Sequence, residues 1–202
     1  MSMQSKSQTE PVSAAGEYYL RGVMETASGF KLNDDGSFQF FFSYGALDRY
    51  GSGTWTKNNN RILFNSTTQH EADFALVQSQ KKEGKKITVR IVEANEMLLR
   101  HVYCRIQSGD KKQEGVADAK GIITFEPQEV DSLTLIFEFC PEKETKIVIP
   151  VKGNNYFELR FEPWMMEIFF KNFSLQVAEG ELNGAHPILE GVSYHYEKAG
   201  SN

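Results

Sequence analysis

Apolar side chains recur at every second position along much of this chain, and clusters of Gly, Asn, Asp and Ser interrupt them about every ten residues. In Ser37–Tyr44, for example, Phe38, Phe40 and Phe42 fall on one face and Gln39, Phe41 and Ser43 on the other. A repeat of two belongs to the pleated strand, whose successive side chains point to opposite sides, so the pattern predicts half-buried strands. Helix signals are nearly absent.

The first strands are expected at 18–24, 29–32 and 37–44, with Asn33-Asp-Asp-Gly36 supplying a tight hairpin turn. A further strand opens at Gly51-Ser-Gly-Thr-Trp55, and another covers 61–64 after a polar turn. Residues 74–78 and 86–92 read as a hairpin, with the lysine-rich run Lys81–Lys86 as its solvated tip. This would complete a first unit near Ala94.

A second series follows at 98–107, 114–117, 122–125, 133–139, 146–151 and 156–161. Trp164–Val177 reads as strand, although Met165, Ile168, Phe169 and Phe173 also fall at helical spacing. Short strands end the chain at Tyr194–Tyr196. The expected fold class is all-β: a disordered tail over 1–16, a small antiparallel meander or barrel over 17–94, then a β-sandwich over 95–198.

Composition narrows the functions. Lys and Arg number 22 against 27 Asp and Glu, a net charge of −5 that opposes binding to a phosphate backbone, so nucleic acid is not expected as a partner. Cys104 and Cys140 have no CxxC spacing, and Cys104 alternates with Val102 and Ile106 as a buried thiol would. No segment reaches the roughly 18 consecutive apolar residues of a membrane helix. No signal peptide is visible at the start, which predicts a cytoplasmic location as the sequence stands, or a periplasmic one if a leader has been removed.

No catalytic residue, metal set or cofactor motif is evident. Ser43 lacks a Gly-x-Ser-x-Gly elbow, and there is neither a Walker-type run nor a strand-linked Gly-x-Gly-x-x-Gly. His70 and His101 stand alone, whereas His186 and His195 could meet across a hairpin with Glu190 and Glu197 nearby. The segment from Tyr44 to Gly51 places Asp48, Arg49, Tyr44 and Tyr50 in a loop at the mouth of the expected barrel, with Trp55 capping an end. These five residues are the candidate ligand-binding set. Phe38, Phe40, Phe42, Trp55 and Phe64 could line an apolar cavity, but a barrel so small favours a filled interior.

Residues 17–66 resemble the small lipocalin-like barrels of bacterial envelope and stress proteins, through Phe30-Lys-Leu-Asn-Asp-Asp-Gly-Ser-Phe38, Gly53-Thr-Trp55 and Ile62-Leu-Phe64, without the CxxC of some members. The run Gly115-Val-Ala-Asp118-Ala-Lys-Gly121-Ile-Ile-Thr-Phe125 resembles the transthyretin-like, carboxypeptidase-regulatory type of sandwich, with Ala117 where threonine is usual. The second resemblance implies a non-catalytic accessory role. The expected function is a binding or scaffolding module for an unknown protein partner. The alternatives are a carrier of a small apolar ligand in the first barrel and a metal-dependent enzyme built on His186 and His195.

Overall fold

The computed structural model describes residues 14–178, 180–191 and 193–200. The first strands are β1 (Gly16–Arg21), β2 (Thr26–Leu32), β3 (Ser37–Tyr44), β4 (Leu47–Asn58) and β5 (Arg61–Asn65). Next come β6 (Phe74–Gln80), β7 (Ile87–Val92), a four-residue helix α1 (Glu96–Leu99), β8 (Val102–Ser108), β9 (Lys111–Val116) and β10 (Ile122–Phe125). Then follow β11 (Ser132–Phe137), β12 (Glu144–Val148), β13 (Tyr156–Phe161), β14 (Phe173–Ala178), β15 (Glu181–Gly184) and β16 (Tyr194–Lys198). The all-β expectation holds, and no helix of the described residues is long and apolar enough to cross a membrane.

Eight strands close into an antiparallel barrel in the order β1-β16-β15-β14-β5-β4-β3-β2. Its wall alternates inside and out. Phe38, Phe40 and Phe42 of β3 turn inward, and they meet Phe30 and Leu32 of β2, Ile62 and Phe64 of β5, Leu175, Leu182 and Tyr196 in one core. Phe30 sits at its centre, with ring centroids 4.7 Å from Phe64, 4.8 Å from Phe40 and 5.2 Å from Tyr196. Burial of each such ring stabilises the barrel by about 2–3 kcal/mol, and the tilted and edge-on geometries add to that. The interior is a packed core.

Residues 70–167 form a second compact unit of two four-stranded sheets, β10-β7-β13-β6 and β12-β11-β8-β9. Ile87, Val89 and Ile91 of one sheet share a single core with Val102, Cys104, Ile106, Leu133 and Leu135 of the other, as the inner faces of a sandwich do. Cys104 and Cys140 are both buried free thiols.

Several expectations need correction. The sandwich does not follow the barrel but is inserted in it, between β5 and β14, so the division does not fall at Ala94. The physical reason is closure: β1 to β5 leave two open edges, and β14 to β16 pair with both. The ends of the insertion lie together, since the Ser66 N–H donates to the Phe170 carbonyl at 2.8 Å.

The hairpin expected from 74–78 and 86–92 does not form. β13 lies between its two strands, antiparallel to β6 and parallel to β7. The strand expected from Leu98 begins only at Val102, because Asn95 caps α1 by accepting the Met97 N–H at 3.2 Å. Within 164–177, residues 164–166 are turn and 168–172 irregular, with the strand starting at Phe173. Of the tail expected over 1–16, residues 1–13 lie outside the described residues, and Ala14 is buried in the barrel core.

Candidate binding surface

The segment expected as a loop at the barrel mouth is mostly strand. Tyr44 pairs with Leu47 across a two-residue turn, Gly45-Ala46, and Gly45 takes φ 58°, which glycine reaches at no steric cost. Period-two alternation then separates the candidate residues. Asp48 and Tyr50 face outward, Asp48 accepting from the Ser43 hydroxyl, while Arg49 faces inward and is 3% exposed. Trp55 also faces inward, but six residues from Arg49 along β4 is about 20 Å. Its indole N–H donates to the Asn33 carbonyl at 3.0 Å, which ties β4 to the β2–β3 turn. Tyr44 is exposed at the other end. The five residues therefore do not converge on one site.

The histidines are also apart. His186 is buried, its ring packed among Phe40, Phe42, Tyr194 and Tyr196. Nδ1 accepts the N–H groups of Ile188 and Leu189, each at 3.0 Å, and Nε2 meets Ser28 Oγ at 3.0 Å. Burial lowers its pKa to about 4. His195 shares the outer face of β16 with Glu197 and contacts Asn183 Oδ1 at 3.0 Å and Glu181 at 3.4 Å. The barrel wall stands between the two rings. His70 stacks on Trp164 at 4.1 Å and His101 pairs with Glu138 at 2.7 Å. Among the described residues, no three His, Cys, Asp or Glu side chains gather as a metal site would require.

The outer wall carries a different arrangement. Tyr19 pairs with Gly29, Gly29 with Phe41 and Phe41 with Tyr50, so one register line crosses β1, β2, β3 and β4. Its three aromatics are exposed by 36%, 40% and 45% respectively. Gly29 lets the row close up: a Cβ there would strike the Tyr18 carbonyl and come within 2.9 Å of Phe41 Cε1. The rings of Tyr19 and Phe41 meet edge to face at 6.2 Å. Beside them lies a hollow of 180 Å³ bordered by Glu17, Tyr19, Phe30, Lys31, Gln39 and Phe41.

Of this row only Tyr50 belongs to the candidate set read from the sequence. The signal for Phe41 was present in the triple Phe40-Phe41-Phe42, where alternation must put the middle ring on the polar face. Tyr18-Tyr19 carries the same signal, Tyr18 turning inward and Tyr19 outward.

No protein-family model, curated protein or solved structure matches this chain.

Proposed function

We propose that this protein is a non-catalytic binding module whose barrel serves as a solid support and whose outer wall contacts the ligand. The observation that carries this reading is the exposed aromatic row Tyr19-Phe41-Tyr50 aligned over a filled interior. Aromatic side chains supply much contact area at little conformational cost, and three of them in register on water-facing strands form a ready contact surface. The closed eight-stranded barrel favours the lipocalin-like resemblance at the level of architecture, and the two facing sheets favour a sandwich of the transthyretin-like kind.

A carrier function would use the interior, yet Phe38, Phe40, Phe42 and Phe64 are each 3% exposed or less and lie in a packed cluster. That speaks against an apolar cargo there. The separation of His186 from His195 likewise removes the pairing on which a metal-dependent activity would have been built.

Amide chemical-shift mapping of the full chain tests the reading, using panels of soluble oligosaccharides, peptides and fatty acids. Shifts centred on Tyr19, Gly29, Phe41 and Tyr50 are expected. Saturable fatty-acid uptake with shifts centred on Phe38 and Phe64 would reverse it in favour of a carrier.

A further inference from the structure

The aromatic row is fringed on both sides by hydrogen-bonding residues. In register along one side stand Glu17, Lys31, Gln39 and Ser52; along the other, Ala27, Ser43 and Asp48 stand in register, with Arg21 two residues beyond Tyr19. Both cations in this fringe are already paired with carboxylates. Lys31 Nζ lies 3.2 Å from Glu17 Oε1 and Arg21 Nε lies 2.8 Å from Glu197 Oε2, while Asp48 accepts from the neutral Ser43 hydroxyl. The surface thus offers flat apolar rings, many donors and acceptors, and little net charge.

Strands lie about 4.8 Å apart and alternate residues about 7 Å, so the three rows span roughly 15 Å by 14 Å, about 200 Å². A stable protein interface needs about 800 Å² on each partner, which is well beyond this strip. A strong anion would gain little here, because Arg21 and Lys31 already have carboxylate partners.

A neutral sugar chain has the matching chemistry. The C–H groups on the two faces of a pyranose ring are apolar, whereas its hydroxyls project from the rim. A pyranose resting on the face of one of these rings, Tyr19 and Phe41 being inclined at 62°, would carry its hydroxyls over the flanking polar residues. The hollow beside Tyr19 and Phe41 has room for one ring-sized group. Resting on the outer-wall reading above, we infer that this face binds a neutral polysaccharide, its chain running across β1 to β4 along the aromatic row.

The full chain is tested by calorimetric titration and amide shift mapping, with soluble oligosaccharides of β-linked glucose and of N-acetylglucosamine as probes. Saturable binding that is insensitive to added sodium chloride is expected, with shifts at Tyr19, Gly29 and Phe41. Phe41→Ala and Tyr19→Ala should each weaken it by at least about tenfold, whereas Phe41→Tyr and Tyr19→Phe retain it. Unchanged far-ultraviolet circular dichroism and melting temperature show that each variant is folded.

Failure of both neutral series to bind would overturn the inference, as would binding indifferent to both alanine variants. Self-association of the chain abolished by Phe41→Ala would overturn it in favour of a second copy on this face. Peptides, rather than saccharides, shifting the same amides would overturn the sugar assignment while leaving the outer-wall reading intact. Shifts confined to interior rings would overturn both.

Discussion

His186 Nε2 and Ser28 Oγ lie 3.0 Å apart in the barrel, 158 residues distant in sequence, and the direction of their hydrogen bond follows from what else each group does. Nδ1 of His186 accepts two backbone N–H groups, so the ring proton sits on Nε2 and is donated to Ser28. The Ser28 hydroxyl then donates onward to the Phe41 carbonyl at 2.9 Å. Through this relay the β15–β16 connection is fastened to β2 and β3. The same Phe41 carries its side chain on the opposite, outer face.

Protonating His186 would break both Nδ1 bonds, since the imidazolium has no lone pair to offer. Its folded pKa of about 4 lies below the ordinary value of 6.5, so the unfolded chain binds the proton first as pH falls. The stability contribution is therefore complete above about pH 6.5 and is lost as pH drops toward about 4, to a limit of about 3 kcal/mol. The neighbouring Tyr196, its pKa raised by burial, remains neutral throughout this window. Urea denaturation of the wild type and of His186→Gln at a series of pH values measures it, and the slope between pH 6.5 and 4 should be shallower in the variant.

Tyr196 is fully buried among Phe30 and His186, and its hydroxyl has no hydrogen-bond partner among the described residues. Burial pushes its pKa upward. Removing an unsatisfied buried hydroxyl without changing the ring relieves its desolvation cost, so Tyr196→Phe should be neutral or stabilising, by about 1–2 kcal/mol. Tyr196→Ala, which empties the ring position, should instead cost about 3–5 kcal/mol. Urea midpoints of the two variants should move in opposite directions or, for the first, stay in place.

The Cys104 thiol is 0% exposed and burial raises its pKa to about 12, so almost none is thiolate at neutral pH. Cys140 is equally buried, its sulfur 3.3 Å from the Met165 carbonyl. Neither should react with an aromatic disulfide reagent in the native protein, and both should react at the rate of unfolding when urea is added. Rapid native labelling of either thiol would contradict this burial.

Residues 70–167 have their own core and sheets, and His70 Nε2 lies 3.1 Å from Glu167 Oε2 at the two ends of the unit. Expressed alone, this fragment should fold into a sandwich with a cooperative thermal transition and dispersed amide resonances. The reciprocal protein, with Gln69 joined to Ile168 by a short linker, should retain the barrel, because Ser66 and Phe170 are already hydrogen-bonded across the gap. Circular dichroism melts of both pieces check the expectation; an unstructured fragment would show that the insertion depends on its host.

Period-two burial alone determined where most strands lie and which face of each is wet. Ser37–Tyr44, Ile122–Phe125 and Tyr156–Phe161 stand where alternation and turn residues put them, and Phe41 faces water for the reason readable in Phe40-Phe41-Phe42. The turn Asn33-Asp-Asp-Gly36 announced the β2–β3 hairpin, but pairing between strands distant in sequence was decided only by the tertiary structure. Alternation states that a strand has a buried face but not which edge it will meet, so nothing local announces β13 between β6 and β7 or β16 beside β1. The aromatic row is a product of register: Tyr19, Phe41 and Tyr50 become neighbours because the successive hairpins from β1 to β4 set these residues in one line, and a glycine at position 29 leaves room between the first two rings.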